Sequence, residues 1–244
     1  MITNRTLTKL LCTTLIVFQA STLRAQALIA LIFGDKLVSD KMKMGLYLAP
    51  QYTWLSNTPG GSGDTGLGVG AYTDIIINDK WMISNTMSFK APKGGEDLPT
   101  SYTLVADADY PAEGTIRRKL TYFELVPMLR YNVTPSWSVA AGPQIGIKLR
   151  ARDYYHYERE DGSLETVRYN TGSYFKTFDF GGGIDLQYAL KQGKGVHINL
   201  RYVAGFMNIY KNDVPFNAKN NYFQIGVGIP IQGDKKVQKE KTEN

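Results

Sequence analysis

The sequence predicts an all-β fold: an eight-stranded antiparallel up-and-down transmembrane β-barrel with a short N-terminal helical segment. Three observations point there. Residues 120–149 alternate at period two. Thr121, Phe123, Leu125, Pro127, Leu129, Tyr131 and Val133 share one face of the first half, and Trp137, Val139, Ala141, Pro143, Ile145, Ile147 and Leu149 share one face of the second. The opposite face carries Glu124, Arg130, Gln144, Lys148 and Arg150 among glycines and small residues, which is the composition of a barrel lumen. Finally, short turns alternate with long loops between successive strand candidates, the asymmetry of an outer-membrane barrel whose long loops lie outside the cell.

The opening hairpin also has aromatics at both ends of its apolar face, Tyr131 and Trp137 near the turn and Phe123 away from it, as an interfacial girdle requires. The apolar face is therefore read as facing lipid. Of the 244 residues 43 % are apolar, and no run approaches the roughly 20 apolar residues that a spanning helix needs. Strands cross a membrane with every second residue polar, so a low mean hydropathy does not argue for solubility.

Residues 1–25 read as a secretory signal, with Arg5 and Lys9 as its charged start, residues 10–18 as its apolar stretch and Leu23-Arg24-Ala25 as the cleavage site. The single cysteine, Cys12, falls inside it, so the mature chain offers no thiol or disulfide chemistry. Cleavage removes three basic residues and no acidic one, and the formal charge drops from +6 to +3. A balance this mild makes no case for nucleic acid as a partner. Residues 26–42, containing ALIALIF, form a periplasmic N-terminal segment with a helical stripe of Ile29, Ile32, Phe33 and Leu37. The barrel occupies 43–232, and 233–244 form a charged, disordered periplasmic tail.

In chain order, the first strand covers 43–55 and the second 65–78, where Leu67, Val69, Ala71, Thr73, Ile75 and Ile77 oppose Gly66, Gly68, Gly70, Tyr72 and Asp74. A turn at Asn78-Asp79-Lys80 leads to the third, 81–91, with Trp81, Ile83, Met87 and Phe89 opposite Ser84, Thr86, Ser88 and Lys90. Asn85 interrupts its apolar face. The hairpin at 120–149 supplies strands four and five around Thr134, Pro135 and Ser136. Strands six, seven and eight cover 173–190, 196–210 and 221–231, with a glycine-rich turn at 191–195. The long loops are 56–64, 92–116, 153–172 and 211–220.

In a barrel of eight strands side chains fill the interior. Asp74, Glu124, Arg130, Lys148, Asp179, Asp185, His197 and Arg201 are expected to form a lumen charge network, because an isolated charge away from water is costly. Asp74, Arg130, Asp185, His197 and Arg201 lie nearest the periplasmic end. Lys90, Arg117, Lys119, Arg152, Lys176 and Lys211, together with Lys93, Arg118, Lys148 and Arg150, fall near the outer ends of strands, where cations meet lipopolysaccharide phosphates. His156, in the third outer loop with Glu158 and Ser163, is the one place for a Ser/His/Glu set. His197 is at the wrong end for that chemistry. Two histidines some 40 residues apart and no mature cysteine give no metal spacing, and no catalytic residue, cofactor or metal is assigned. The strand glycines, such as Gly226 and Gly228, precede no helix and are read as allowing curvature or close packing.

The segments ALIALIFGDKL, GLGVGAY, FELVPMLRYN, AAGPQIGI, FDFGGGIDLQY and YFQIGVGIPI resemble those of the PorT-like outer-membrane β-barrels of Bacteroidota, over residues 26–232. The resemblance implies a bacterial outer-membrane location, and the even strand count puts both termini in the periplasm. It also implies a role accessory to protein secretion across the outer membrane, with secretion-system or periplasmic proteins as partners. The residues themselves point to a non-enzymatic structural or interaction protein whose apolar face meets outer-membrane lipid and whose basic collar meets lipopolysaccharide. The alternatives are a narrow porin-like channel for small solutes or ions and an outer-leaflet lipid-modifying enzyme.

Overall fold

Antiparallel strands make up most of residues 41–105, 114–159, 161–193 and 195–231, which the computed structural model describes. In chain order they are β1 (Met42–Leu55), β2 (Asp64–Ile76), β3 (Trp81–Pro99), β4 (Gly114–Asn132), β5 (Trp137–Glu158), β6 (Leu164–Asn170), β7 (Phe178–Ala189), β8 (His197–Gly205) and β9 (Asn220–Pro230). Each of β1 to β5 pairs with the next, β5 goes on to β7, β8 and β9, and β9 returns to β1 through Gly45↔Pro230 to Leu55↔Asn220. Eight strands thus close a ring. Strand β6 stands outside it, paired only with the far end of β5 from Arg152↔Asn170 to Glu158↔Leu164. The predicted signal, the helical segment through residue 40 and the tail at 233–244 lie outside the described residues.

Local chemistry closes the short turns. The Asn78 side-chain oxygen accepts the N–H groups of Lys80 and Trp81, each at 2.9 Å, and Thr134 Oγ1 accepts the Trp137 N–H at 2.9 Å. The third turn is a single helical turn, Leu190–Gly193.

Burial is inverted relative to a soluble barrel. Leu129, Ile184, Leu200 and Ile225 are 51, 62, 53 and 57 % exposed, whereas Glu124, Arg130 and Arg201 are 1, 1 and 3 % exposed. Aromatic pairs bound the exposed apolar band. Trp81–Tyr131 and Trp137–Tyr188, both 4.9 Å between ring centres, mark the short-turn end. Phe89–Phe123 and Phe178–Phe180, both 6.3 Å, mark the long-loop end. Inward-facing Gly226 and Gly228 leave room for interior side chains. A Cβ at either position would come within 2.0 Å of Tyr47 Oη or His197 Nε2.

The structure departs from the sequence expectation at the far ends of the strands. The predicted loop 92–116 begins and ends as strand, since β3 continues to Pro99 and β4 begins at Gly114. The predicted loop 153–172 holds the end of β5 and all of β6. The register shifts by one residue between Ser88 and Ala91, and again where Thr121↔Arg150 follows Tyr122↔Lys148. Each extra residue is a β-bulge, which reverses the side-chain alternation beyond it. The inward placement expected for Lys90 and Arg150 is therefore wrong. Both are exposed, while Ala91, Lys93, Ala151, Asp153 and Tyr155 turn inward.

Candidate functional site

Among the described residues buried polar groups concentrate in the interior, which is built in layers from the short-turn end upward. Lowest, Ser84 Oγ donates to Asp74 at 2.5 Å, and the rings of Tyr72 and His197 meet edge to face at 4.5 Å. In the next layer the Asp185 carboxylate takes Arg130 Nη2 at 2.7 Å, Arg201 Nε at 2.9 Å and Asn199 Nδ2 at 2.5 Å. Two further guanidinium nitrogens are engaged, while Arg130 Nε has no partner among the described residues. Arg130 Nη1 reaches Ser138 Oγ at 3.0 Å, and Arg201 Nη2 reaches Thr86 Oγ1 at 3.1 Å. From Asn199 a chain of hydrogen bonds passes through Tyr47 Oη and Gln224 to Gln51, at 3.0, 2.6 and 2.7 Å.

Above it Glu124 accepts Lys93 Nζ at 2.6 Å, Tyr222 Oη at 2.8 Å and Gln144 Nε2 at 3.0 Å. The Lys93 ammonium also sits 3.3 Å from the centre of the Tyr222 ring. Asn220 Nδ2 donates to Asp179 at 3.0 Å. Arg118, fully buried, bonds Asp153 in a fork at 2.9 and 2.6 Å, the Tyr210 hydroxyl at 2.5 Å and the Tyr102 carbonyl at 2.9 Å.

Around Arg118 the long-loop end is apolar. Leu55, Leu98, Ile116, Leu120, Ala151 and Tyr155 from the strand ends pack with Phe175, Ile209, Tyr210 and Val214 from the connecting segments. Backbone bonds tie those segments to their lateral neighbours beyond the strand ends, Lys176 N to Ile209 O at 2.8 Å on the β7–β8 side and Ser56 N to Lys219 O at 3.0 Å on the β1–β9 side.

Of the residues expected in the lumen, Glu124, Arg130, Asp179, Asp185, His197, Arg201 and Asp74 are buried inside the ring. The structure joins Arg130 and Arg201 through Asp185, whereas Asp74 bonds Ser84. Lys148 is a correction. At the β5 bulge its ammonium is half-buried and donates to the carbonyls of Gly172 and Phe175, both at 2.6 Å, apart from the charge network. Lys93 and Arg118, expected on the outer collar, are corrections too, because both are buried counter-ions of interior carboxylates. Asp153, expected in a loop, is the partner of Arg118. Arg118 lies on the inward parity of β4, a signal available in the sequence; Lys93 and Asp153 reach the interior only through the bulges.

Among the collar residues, Lys90 and Lys211 are exposed, and Lys119, Arg152 and Lys176 are half-buried. Lys119 Nζ lies 5.9 Å from the Tyr154 ring centre. Arg117 is committed to Asp64 and, at 3.4 Å, to Glu96.

On the β5–β6 hairpin His156 Nδ1 bonds Thr166 Oγ1 at 2.8 Å, and Ser163 Oγ bonds Asp161 at 2.6 Å, so the histidine and the serine have separate partners. Donation by Tyr157 and then Arg159 holds the Glu165 carboxyl below its ordinary range, and donation by the Ser163 hydroxyl and N–H does the same for Asp161. Among the described residues no group of three or more His, Cys, Asp or Glu is placed to hold a metal ion.

A family pattern described as outer membrane protein beta-barrel domain matches residues 43–211. Among curated proteins none matches significantly. Similar solved structures include Ail, the attachment invasion locus protein of Yersinia pestis, at 11 % identity and a TM-score of 0.40, with 78 % of this chain and 97 % of that chain covered. Neisserial surface protein A is similar at 14 % identity and a TM-score of 0.37, with the same coverage, 78 and 97 %. The outer membrane protein OprG from Pseudomonas aeruginosa is similar at 11 % identity and a TM-score of 0.30, covering 78 and 91 %.

Proposed function

Since the chain belongs to the outer membrane protein beta-barrel domain family, and so to the bacterial outer membrane, we propose that its barrel is a closed, non-enzymatic scaffold acting through surface contacts. The observation that carries this reading is the filled lumen. Interior charges pair between neighbouring or next-but-one strands, Tyr222 and Arg201 reach Glu124 and Thr86 on the opposite wall, and the apolar cluster around Arg118 lies at the long-loop end. A solute path would have to part both.

In this reading the short turns and both chain ends face the periplasm, and the long loops, with the β5–β6 hairpin, face outward. The exposed cations at the outer edge of the apolar band, Lys90 beside Phe89 and Lys211 beyond Phe206, stand at the level of lipopolysaccharide phosphates. The likeness of the strand segments to PorT-type barrels supports an accessory role in protein secretion, with periplasmic or secretion-system proteins as partners.

Two measurements test it. Purified protein in planar lipid bilayers is expected to give no stepwise conductance, and reproducible unitary steps abolished by unfolding the protein would replace the scaffold with a narrow channel. Deleting the gene is expected to lower the proteins secreted into the medium while leaving the outer membrane intact. Unchanged secretion would remove the accessory role and leave the scaffold.

A further inference from the structure

Asn85 sits where a membrane-spanning strand has least tolerance for an amide. On the outward face of β3 it lies four residues from Trp81, which pairs with Tyr131 in one girdle, and four from Phe89, which pairs with Phe123 in the other. That is mid-depth in the apolar band. Its lateral neighbours are Thr73 on β2 and Pro127 on β4. Among the described residues neither the Asn85 amide nor the Thr73 hydroxyl has a side-chain hydrogen bond. Hydrocarbon provides no partner either.

The surroundings shape the spot. Thr73, Ala71 and Pro127 are short and half-buried, while Ile75, Ile83 and Leu129 on the short-turn side are 47, 42 and 51 % exposed. The panel is thus a shallow polar notch bordered by longer apolar side chains.

We infer that this β2–β4 panel is an interface within the membrane, and that its occupant is a second copy of this chain. The choice of occupant follows from symmetry. Two copies inserted in the same direction are related by a two-fold axis along the membrane normal, which brings each residue of one copy to the depth of the same residue in the other. Asn85 then meets Asn85, and an amide carries both donors and an acceptor, so the pair satisfies itself. A different partner would need its own polar group at that depth. The inference requires the membrane location but not the closed lumen, so a conducting barrel would leave it standing.

The test uses the full chain with its single cysteine replaced, Cys12→Ser, in phosphatidylcholine/phosphatidylglycerol vesicles. With Asn85→Cys, a membrane-permeant oxidant is expected to give a disulfide-linked dimer on a non-reducing gel, whereas Leu200→Cys, on the lipid face of β8, is expected to stay monomeric. With Asn85→Leu, single-molecule photobleaching is expected to show the dimer association constant reduced about tenfold, as for other buried polar contacts between membrane segments. That variant should still run as a heat-modifiable folded barrel. Equal cross-linking at both positions, a wild-type chain monomeric at all protein-to-lipid ratios, or dimerisation unaffected by Asn85→Leu would each overturn the inference.

Discussion

Asp185→Ala is expected to destabilise the barrel by about 3–5 kcal/mol, the range for removing one partner of a buried ion pair. Asp185 is the only carboxylate bonded to Arg130 and to Arg201 among the described ion pairs, at 2.7 and 2.9 Å, and all three side chains are almost fully buried. Without it two guanidinium groups lie side by side with no counter-charge, and Asn199 loses its acceptor. Asp185→Asn keeps the shape and one acceptor but not the charge, so it is expected to lose most of the same stability. Urea unfolding in detergent micelles, followed by the fluorescence of Trp54, Trp81 and Trp137, measures both. A loss below about 1 kcal/mol for the alanine variant would mean that water reaches the arginines and screens them, and the closed lumen would be wrong.

The membrane-spanning part of this fold was legible because the solvent imposes it. At bilayer depth every outward residue meets hydrocarbon and every inward one meets other side chains, so β4 alternates Phe123, Leu125 and Leu129 against Glu124 and Arg130. Beyond the bilayer the same strand reverses its chemistry. Arg117 and Lys119 face outward, whereas Ile116 and Leu120 are buried in the cluster around Arg118. A reading tuned to apolar-outward alternation stops at that reversal. For that reason the sequence of 92–99 and 114–116 carries no sign of a spanning strand, and the apolar cluster has no signature of its own. The bulges were hidden for a different reason. One extra residue leaves no compositional mark, yet it exchanges Lys90 for Lys93 and Arg150 for Asp153 on the inward face. Which charges share the lumen was therefore partly readable, and which of them touch was not.

The Glu124–Lys93 pair shows how the reversed parity after the first bulge affects stability. Glu124→Ala is expected to cost about 3–5 kcal/mol, because the Lys93 ammonium keeps only the Tyr222 ring, and the Tyr222 hydroxyl and Gln144 amide lose their shared acceptor. Lys93→Met leaves a buried carboxylate that still accepts from Tyr222 and Gln144, so its cost is expected to be smaller, about 2–3 kcal/mol. The double variant Lys93→Met/Glu124→Gln removes both charges together and keeps an oxygen for Tyr222. Replacing a whole buried pair is often close to neutral, so the double variant is expected to be more stable than either single one, with a coupling of at least about 2 kcal/mol. Additive losses in urea unfolding would mean that the two groups do not meet, and Lys93 would then face outward with the collar. The inward turn of β3 after Ser88 predicts the opposite, because a lysine returned to the lipid or solvent face has nothing to lose when Glu124 is changed.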